Sequence, residues 1–258
     1  VRKAQMMNYE AFRAMYEGRN ATLFHPTTGV LTWMSNPAQP SFVWQLYHYD
    51  LEPNASLFAV ESASEMVHIQ LNEATGELQV INNRPEAVTG ATARVRIYDL
   101  DGRLVSDMSY KVTAAADTAT DLATVAAPAE ASGVHLLELE LMDASGRRVS
   151  ENFYWKAADG QNGAPGDDLT AMDGMAKVML GAEVARSDAN GRTQVTVTLR
   201  NATGHVAVMA HVQLRRRSGE RVLPVFYSEN YVSLVPRESR VVTMEAATAD
   251  LKGEDALV

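Results

Sequence analysis

The sequence predicts a mostly β protein, in which two tandem immunoglobulin-like β-sandwiches follow a short α/β segment. Apolar residues recur with a helical period in the first part of the chain, and the period changes to two from about Met66. A stretch rich in glycine, proline and aspartate interrupts this alternation, which resumes beyond it. The predicted domains are therefore 1–65, 66–156 and 171–258, with a linker at 157–170.

The α/β segment begins with a predicted amphipathic helix that ends near Gly18. Apolar residues spaced by three or four positions mark its buried face. These residues are Val1, Ala4, Met7, Ala11 and Met15. We interpret Glu10 and Glu17 as members of the solvated face of the same helix.

A short apolar strand at 29–34 follows, of the kind that is buried in a parallel sheet. Two prolines make 36–41 a loop, because proline lacks the N–H that a strand or helix interior needs. Pro53 then opens a second helix that runs to about Ala63. Helix, strand, loop and helix together indicate a piece of an α/β fold.

The sandwiches are predicted from alternating residues between turns. Ala93, Val95 and Ile97 alternate with arginines up to a turn at 99–102, and 134–141 pairs with 148–155 around a turn at 143–146. About seven such strands in about 90 residues fit an antiparallel sandwich of immunoglobulin type. Val195, Val197 and Leu199 alternate with threonines beyond the linker. Alternation resumes at 206–214, where Val206, Val208, Ala210, Val212 and Leu214 form the apolar set, and the two stretches predict a second sandwich.

Composition argues against several functions. The chain of 258 residues has 23 Lys and Arg against 32 Asp and Glu, so we expect neither nucleic acid nor an anionic membrane as a partner. It has no cysteine, and its six histidines lack the spacing of a metal motif, so we expect no metal and no cofactor. No apolar stretch approaches the ~18 residues that span a bilayer. No catalytic motif is present, and we assign no catalytic residue.

Two further motifs carry little functional information. Asn-X-Ser/Thr triplets occur at Asn20, Asn54 and Asn201, a number expected by chance in a chain of this length. Asp167 and Asp168 form an acidic pair, but we interpret them as part of a flexible linker rather than as a calcium site.

Trp33 is the strongest candidate for a binding residue. It ends the predicted buried strand and precedes the loop with two prolines, a position where α/β barrels place their ligands. Asn36, Gln39 and Tyr47 lie close by in sequence and carry the polar atoms that a sugar-binding cleft uses. A tryptophan at this position is also compatible with a purely structural role in the core.

Residues 29–72 resemble the last strand and helix of the catalytic barrel in glycoside hydrolase family 2, in its exo-β-glucosaminidase and β-mannosidase branches. The motifs there are Gly-Val-Leu-Thr-Trp-Met at 29–34, the aromatic stretch at 42–49 and Glu65-Met66-Val67-His68-Ile69-Gln70. Four later motifs are similar to the two immunoglobulin-like domains of those enzymes: Tyr98 to Gly102, Asn152-x-Tyr154-Trp155, Leu223-Pro224-Val225 and Thr248 to Gly253. The α/β segment would then be the last portion of a (β/α)8 barrel.

The resemblance implies a retaining β-glycosidase, whose two catalytic carboxyl groups lie about 5 Å apart. Both would precede this chain, because its first helix corresponds to the helix after the seventh barrel strand. Trp33 would form a wall of the sugar subsite, with Asn36 and Gln39 as further substrate-binding residues and a cis peptide bond after Trp33. Implied partners are a glycoside substrate and the missing N-terminal barrel. The resemblance also favours a secreted or periplasmic location.

Departures from the family pattern leave the sugar open. Pro37 and Gln39 replace residues typical of the exo-glucosaminidase branch, and Met66 replaces a proline of the family motif. β-Mannosides and other β-linked sugars therefore remain open as substrates beside β-glucosaminides. A rival interpretation is a non-catalytic tandem immunoglobulin-like module that binds carbohydrate or mediates adhesion. Both ends of the chain look cut. We expect residues 1–65 to be ordered only against missing barrel sequence, another chain or a crystal neighbour, whereas the two sandwiches can fold independently.

Overall fold

The chain, described by a computed structural model over residues 2–41, 45–131, 133–157, 166 and 168–258, forms two compact units. The first-sandwich unit consists of Glu10–Leu31 and Ala59–Ala176. The second-sandwich unit consists of Val1–Tyr9, Thr32–Phe58 and Lys177–Val258. Within the described part of the chain, every helix is too short or too polar to cross a bilayer.

Both predicted helices are present, as α1 (Arg2–Ala21) and α2 (Ala55–Ala63). The predicted buried face of α1 is wrong, because its described apolar members, Ala4, Met7, Ala11 and Met15, are all exposed. The buried residues of this helix are instead Phe12, Arg13, Glu17 and Asn20, of which three are polar. α1 is therefore buried mainly through hydrogen-bonding side chains.

The predicted strand at 29–34 is absent, since these residues have irregular backbone. A strand of a parallel sheet requires hydrogen-bonding neighbours on its edges. The part of the chain that the structure describes contributes no strand beside residues 29–34. The local apolar sequence therefore does not produce a strand here.

Over its described residues, the first sandwich has seven strands in two antiparallel sheets, ordered β1-β2-β5 and β4-β3-β6-β7. The strands are β1 (Val67–Asn72), β2 (Glu77–Asn82), β3 (Val88–Tyr98), β4 (Leu104–Ala114), β5 (Thr118–Thr124), β6 (His135–Met142) and β7 (Arg148–Lys156). Three- and four-stranded antiparallel sheets are the arrangement predicted for an immunoglobulin-type sandwich.

The core of this sandwich consists of the inward-facing residues of both sheets. Val95 and Ile97 of β3 lie opposite Leu139 and Leu137 of β6, and all four are buried. The β1-β2-β5 sheet contributes Ile69, Leu71, Leu78 and Val80 to the same cluster. The alternation read from the sequence is thus the alternation between core and outer face.

The turns β3–β4 and β6–β7 repeat the same five-residue motif, Asp-x-x-Gly-Arg. Asp99 Oδ1 accepts a hydrogen bond from Arg103 N at 2.9 Å, and Asp143 Oδ1 accepts one from Arg147 N at 3.1 Å. Gly102 has φ +90° in the first turn, a conformation that glycine adopts without steric cost. These local bonds fix the register of both hairpins.

The second sandwich contains a four-stranded sheet ordered β12-β14-β9-β8 and the pairs β10-β13 and β11-β15. Its strands are β8 (Gly181–Ala189), β9 (Arg192–Arg200), β10 (Ala207–Ala210), β11 (Arg215–Arg216), β12 (Phe226–Tyr227), β13 (Val232–Leu234), β14 (Ser239–Ala247) and β15 (Ala256–Leu257). Val195, Val197 and Leu199 face a core that also includes Leu214 and Leu234.

The alternation at 206–214 yields a shorter strand than its length suggests. Only Ala207–Ala210 pairs as β10, and the register with β13 shifts between its two ends. Met209 has φ +55°, which departs from the extended backbone that a regular strand requires. Val212 and Leu214 are nevertheless buried, as the alternation predicts.

The predicted domain boundaries differ from the division into units. Most of the predicted linker at 157–170 lies outside the described residues. Trp44, from the aromatic stretch at 42–49, also lies outside them. The expectation that residues 1–65 are ordered only against missing barrel sequence, another chain or a crystal neighbour stays a prediction. Their described part belongs to the two units, with Glu10–Leu31 assigned to the first-sandwich unit and Thr32–Phe58 to the second.

Candidate functional site

Trp33 lies on an irregular loop with its side chain 89% exposed. The peptide bond between Trp33 and Met34 is cis, which confirms the prediction made from the resemblance. Trp33 is therefore not part of the hydrophobic core of this chain, because its ring is in solvent.

The other candidate residues lie on the same loop or are tied to it. Asn36 is half-buried and its Oδ1 accepts a hydrogen bond from Ser35 Oγ at 2.9 Å, whereas Gln39 is exposed. Tyr47 N donates to Ser35 O at 3.0 Å, so the segment around Tyr47 contacts the backbone two residues beyond Trp33. The loop can therefore present an aromatic face and amide groups to a ligand.

Backbone pairing forms residues 45–54 into a small hairpin, which we call the 45–54 hairpin. Tyr47 pairs with Pro53, His48 N donates to Glu52 O, and Asn54 N donates to Leu46 O, the last two bonds at 2.8 Å each. Asn54 is buried and its Nδ2 donates to Gln45 O at 2.7 Å. The hairpin is thus held by its own polar atoms.

A buried polar network connects α1 with the first sandwich. Glu17, only 3% exposed, accepts hydrogen bonds from Asn152 Nδ2 at 2.5 Å and from Tyr154 Oη at 2.9 Å. His68 Nε2 lies 3.3 Å from Glu17 Oε1, and its Nδ1 lies 3.1 Å from Glu65 Oε2. The prediction that Glu17 is solvated is therefore wrong, because these groups satisfy its charge inside the unit.

The motif at 65–70, singled out through the resemblance, contributes His68 and Gln70 as partners of α1 and Glu65 as a partner of His68. Besides Glu65 and His68, Gln70 Nε2 donates to the backbone oxygen of Glu17 at 3.0 Å and to Gln79 Oε1 at 2.9 Å. Arg13 Nη1 donates to Phe153 O at 2.5 Å. The sequence offers no local pattern that identifies this network, since its members are far apart along the chain.

The network shifts the ionisation of its members. Burial by itself lowers the pKa of His68, but hydrogen bonds and charges from Glu17 and Glu65 outweigh it and raise that pKa to about 9. Burial also raises the pKa of the Tyr154 hydroxyl, and the charge of Glu17 adds to the effect. His68 is therefore a buried cation at neutral pH.

The asparagines of the three Asn-X-Ser/Thr triplets are all buried. Asn20 Nδ2 donates to Ala63 O at 2.8 Å. Asn201 Nδ2 lies within hydrogen-bonding distance of the backbone oxygens of His205, Leu234 and Val235, at 2.7, 3.1 and 3.1 Å. These side chains serve as internal hydrogen-bond donors.

Neither unit, over its described residues, gathers three histidine or acidic side chains close enough to hold a metal ion. Asp167 lies outside the described residues, and Asp168 is exposed and accepts a hydrogen bond from Thr170 N at 2.9 Å. Asp168 thus takes part in a local turn.

Comparison with known proteins identifies both sandwiches. Residues 162–258 match a model described as the exo-β-D-glucosaminidase Ig-fold domain, and residues 74–158 match the mannosidase Ig/CBM-like domain. Both sandwiches are therefore immunoglobulin-fold domains of the exo-β-D-glucosaminidase and mannosidase type. This confirms the predicted resemblance to glycoside hydrolase family 2.

Relatives match nearly the whole chain. An exo-β-D-glucosaminidase from Streptomyces avermitilis is 36% identical over 98% of this chain and 30% of its own length. An exo-β-D-glucosaminidase from Amycolatopsis orientalis is 34% identical over 98% of this chain and 26% of its own length. The chain thus spans less than a third of the length of these two relatives.

Solved structures agree with this assignment. The crystal structure of the Amycolatopsis orientalis exo-chitosanase CsxA superposes with a TM-score of 0.90 at 32% identity, over 99% of this chain and 32% of that one. A β-D-mannosidase from Dictyoglomus thermophilum superposes with a TM-score of 0.65 at 14% identity, over 98% of this chain and 29% of that one. At that identity the second likeness supports the fold alone.

Proposed function

We propose that this chain is the C-terminal part of a retaining β-glycosidase that removes β-linked glucosamine from the end of a glycoside. Residues 29–49 complete the sugar-binding cleft, and the two sandwiches support the barrel that carries the catalytic carboxylates. Those carboxylates lie outside this chain, which alone is inactive.

The observation that carries the proposal is the collinear match to exo-β-D-glucosaminidases over 98% of the chain. It includes the helical segment and the irregular loop at 32–41, which we call the Trp33 loop, as well as both sandwiches. A module that only binds carbohydrate or mediates adhesion needs the sandwiches but not that segment. The relatives favour glucosamine over mannose at the cleaved position.

Two exposed features support docking against a barrel. The apolar stripe of α1, consisting of Ala4, Met7, Ala11 and Met15, is exposed along one face of the helix. Trp33 is also exposed, so its ring can contact a neighbouring domain or a ligand. A barrel that covers the stripe and leaves the Trp33 ring facing the cleft accounts for both.

The test uses the complete protein that contains this chain. We expect it to hydrolyse p-nitrophenyl β-D-glucosaminide faster than the corresponding β-D-mannoside. Trp33→Ala should lower kcat/KM by about 30-fold, because it removes an aromatic contact of about 2 kcal/mol with the sugar.

The matched control is Phe226→Ala, which truncates another exposed aromatic side chain and should leave kcat/KM within about twofold of the parent value. Faster hydrolysis of the mannoside would contradict glucosamine as the preferred sugar and identify β-mannosides as the substrates. Binding of glycans by a complete protein that hydrolyses neither substrate would favour the non-catalytic module.

A further inference from the structure

We propose that Arg221 of the second sandwich is a positioning residue for the Trp33 loop, which it holds through Asp50 and Glu52 of the 45–54 hairpin. The importance of this loop for a sugar substrate rests on the proposed function. All residues in the argument belong to the second-sandwich unit.

Arg221 bridges the two acids with separate nitrogens. Its Nη2 donates to Asp50 Oδ2 at 2.6 Å and its Nη1 donates to Glu52 Oε2 at 3.0 Å. The other Glu52 oxygen accepts a hydrogen bond from Gln213 Nε2 at 2.6 Å. Glu52 is 4% exposed, so its carboxylate depends on these partners for charge compensation.

The backbone around Arg221 is held in place by the second sandwich. Arg221 pairs with Arg215, and the next residue, Val222, is buried and donates its N–H to Leu214 O at 2.9 Å. The carboxylates of Glu52 and Asp50 outweigh the effect of burial and raise the pKa of Arg221. His211, whose Nε2 lies 4.0 Å from Glu52 Oε1, has its pKa lowered by burial, so Arg221 is the cation that faces both acids.

The hairpin passes this restraint to the Trp33 loop through the backbone. Glu52 O accepts the His48 amide, Tyr47 pairs with Pro53, and Tyr47 N donates to Ser35 O. Ser35 is two residues from Trp33 and adjacent to Asn36. A shift of the hairpin therefore moves the backbone that carries both side chains.

Removing the guanidinium leaves two neighbouring carboxylates without their shared cation. Asp50 and Glu52 then repel each other, and Glu52 retains Gln213 as a neutral partner. Loss of one partner of a nearly buried ion pair favours an opened hairpin in which the carboxylate reaches water. The sandwich core itself keeps its contacts, so the effect should stay local.

The first measurement is amide hydrogen exchange on the 258-residue chain carrying Arg221→Gln. We expect the amides of Tyr47, His48 and Asn54 to exchange at least about tenfold faster, while the amides of β9 and β14 keep their rates. Arg221→Lys should restore part of the protection. Arg217→Gln is the control, because Arg217 is an exposed arginine of the same sandwich that pairs with Asp255.

The second measurement is steady-state kinetics on the complete protein. Arg221→Gln should raise KM by about tenfold and change kcat by less than about threefold, because the loop contributes to sugar binding rather than to the reacting groups. A purely structural role would instead lower the amount of active enzyme and leave KM unchanged.

The two measurements separate failure of this inference from failure of the proposed function. Unchanged exchange at Tyr47, His48 and Asn54 overturns the positioning role, whatever the enzyme does. Faster exchange with an unchanged KM overturns the link between the loop and sugar binding. If the parent protein hydrolyses no β-glycoside, the proposed function falls, and the exchange data still decide whether Arg221 holds the loop.

Discussion

At the scale of single residues, His68 is a histidine whose charge is fixed by its surroundings. Both ring nitrogens face carboxylate oxygens, at 3.3 Å from Glu17 and 3.1 Å from Glu65. Only the imidazolium can donate from both nitrogens. Ser150, Asn152 and Tyr154 supply neutral donors to the same acids, and Arg13 Nε lies 3.9 Å from Glu17 Oε2. His68 is the cation that faces both Glu17 and Glu65.

This arrangement predicts a decrease in stability at alkaline pH. The pKa of His68 is about 9 in the folded chain and ordinarily 6.5, so its contribution is complete below about pH 6.5 and disappears as pH rises through about 9. The loss should amount to about 3 kcal/mol of unfolding free energy over that range.

Urea unfolding at pH 6, 7.5 and 9 measures this loss. His68→Gln should lower stability at pH 6 and flatten the decrease between pH 6 and 9. His205→Gln, which alters an exposed histidine, should retain the parent profile. A parent chain with equal stability at pH 6 and 9 would contradict the assignment of His68 as a buried cation.

At the scale of elements, α1 has two faces with opposite roles. Its polar side, with Arg13, Glu17 and Asn20, is buried and makes specific hydrogen bonds. Its apolar stripe is exposed. The stability of the chain should therefore depend on the polar side of this helix and be insensitive to the apolar one.

Two variants compare these faces. Glu17→Gln should lower the unfolding free energy of the chain by about 3 kcal/mol, because it leaves the charge of His68 without one of its two carboxylates. Met7→Gln combined with Met15→Gln should change it by less than about 0.5 kcal/mol, since both side chains are exposed. Denaturant unfolding of both variants is the measurement, and equal losses would refute the division of roles.

The sequence predicts elements well where the information is local. The hairpins β3–β4 and β6–β7 follow from alternation and from the Asp-x-x-Gly-Arg turns, which determine register within a few residues. Prediction fails for the face of α1, because apolar spacing identifies Met7 and Met15 whereas the buried contacts of that helix are largely polar. It fails for 29–34 because strand formation depends on neighbours rather than on the strand's own residues.

The residues of the candidate site also fall into those that the sequence predicts and those that it does not. Trp33 could be selected from the sequence because its motif is local, and the structure places it in solvent. The pairing of Arg221 with Asp50 joins residues 171 positions apart, and nothing in the charge pattern indicates which acid an arginine meets. Residues that support the loop therefore become visible only in three dimensions.

At the scale of the whole molecule, residues 1–65 are part of the stability of the chain. Glu17 lies against His68 and Tyr154, both of which are fully or almost fully buried. A chain reduced to 66–258 leaves these groups without a carboxylate partner. Unpaired buried polar groups cost several kcal/mol.

We expect the chain 66–258 to unfold at a temperature at least about 6 °C below that of the 258-residue chain. Differential scanning calorimetry measures the difference. Addition of a separate 1–65 peptide should recover part of the lost unfolding temperature. Such recovery distinguishes the loss of specific contacts from misfolding of the shortened chain. Equal unfolding temperatures would support the expectation that the sandwiches fold independently of this segment.

The burial of Asn201 has a practical consequence for producing the protein. A host that attaches glycans to Asn-X-Ser/Thr during translocation would act on the unfolded chain, before this asparagine is enclosed. The attached sugar would replace one of the amide hydrogens that face three backbone oxygens, and it would not fit in the closed sandwich. Glycosylation and folding therefore compete for this side chain, and a host without that modification is the better source of folded material.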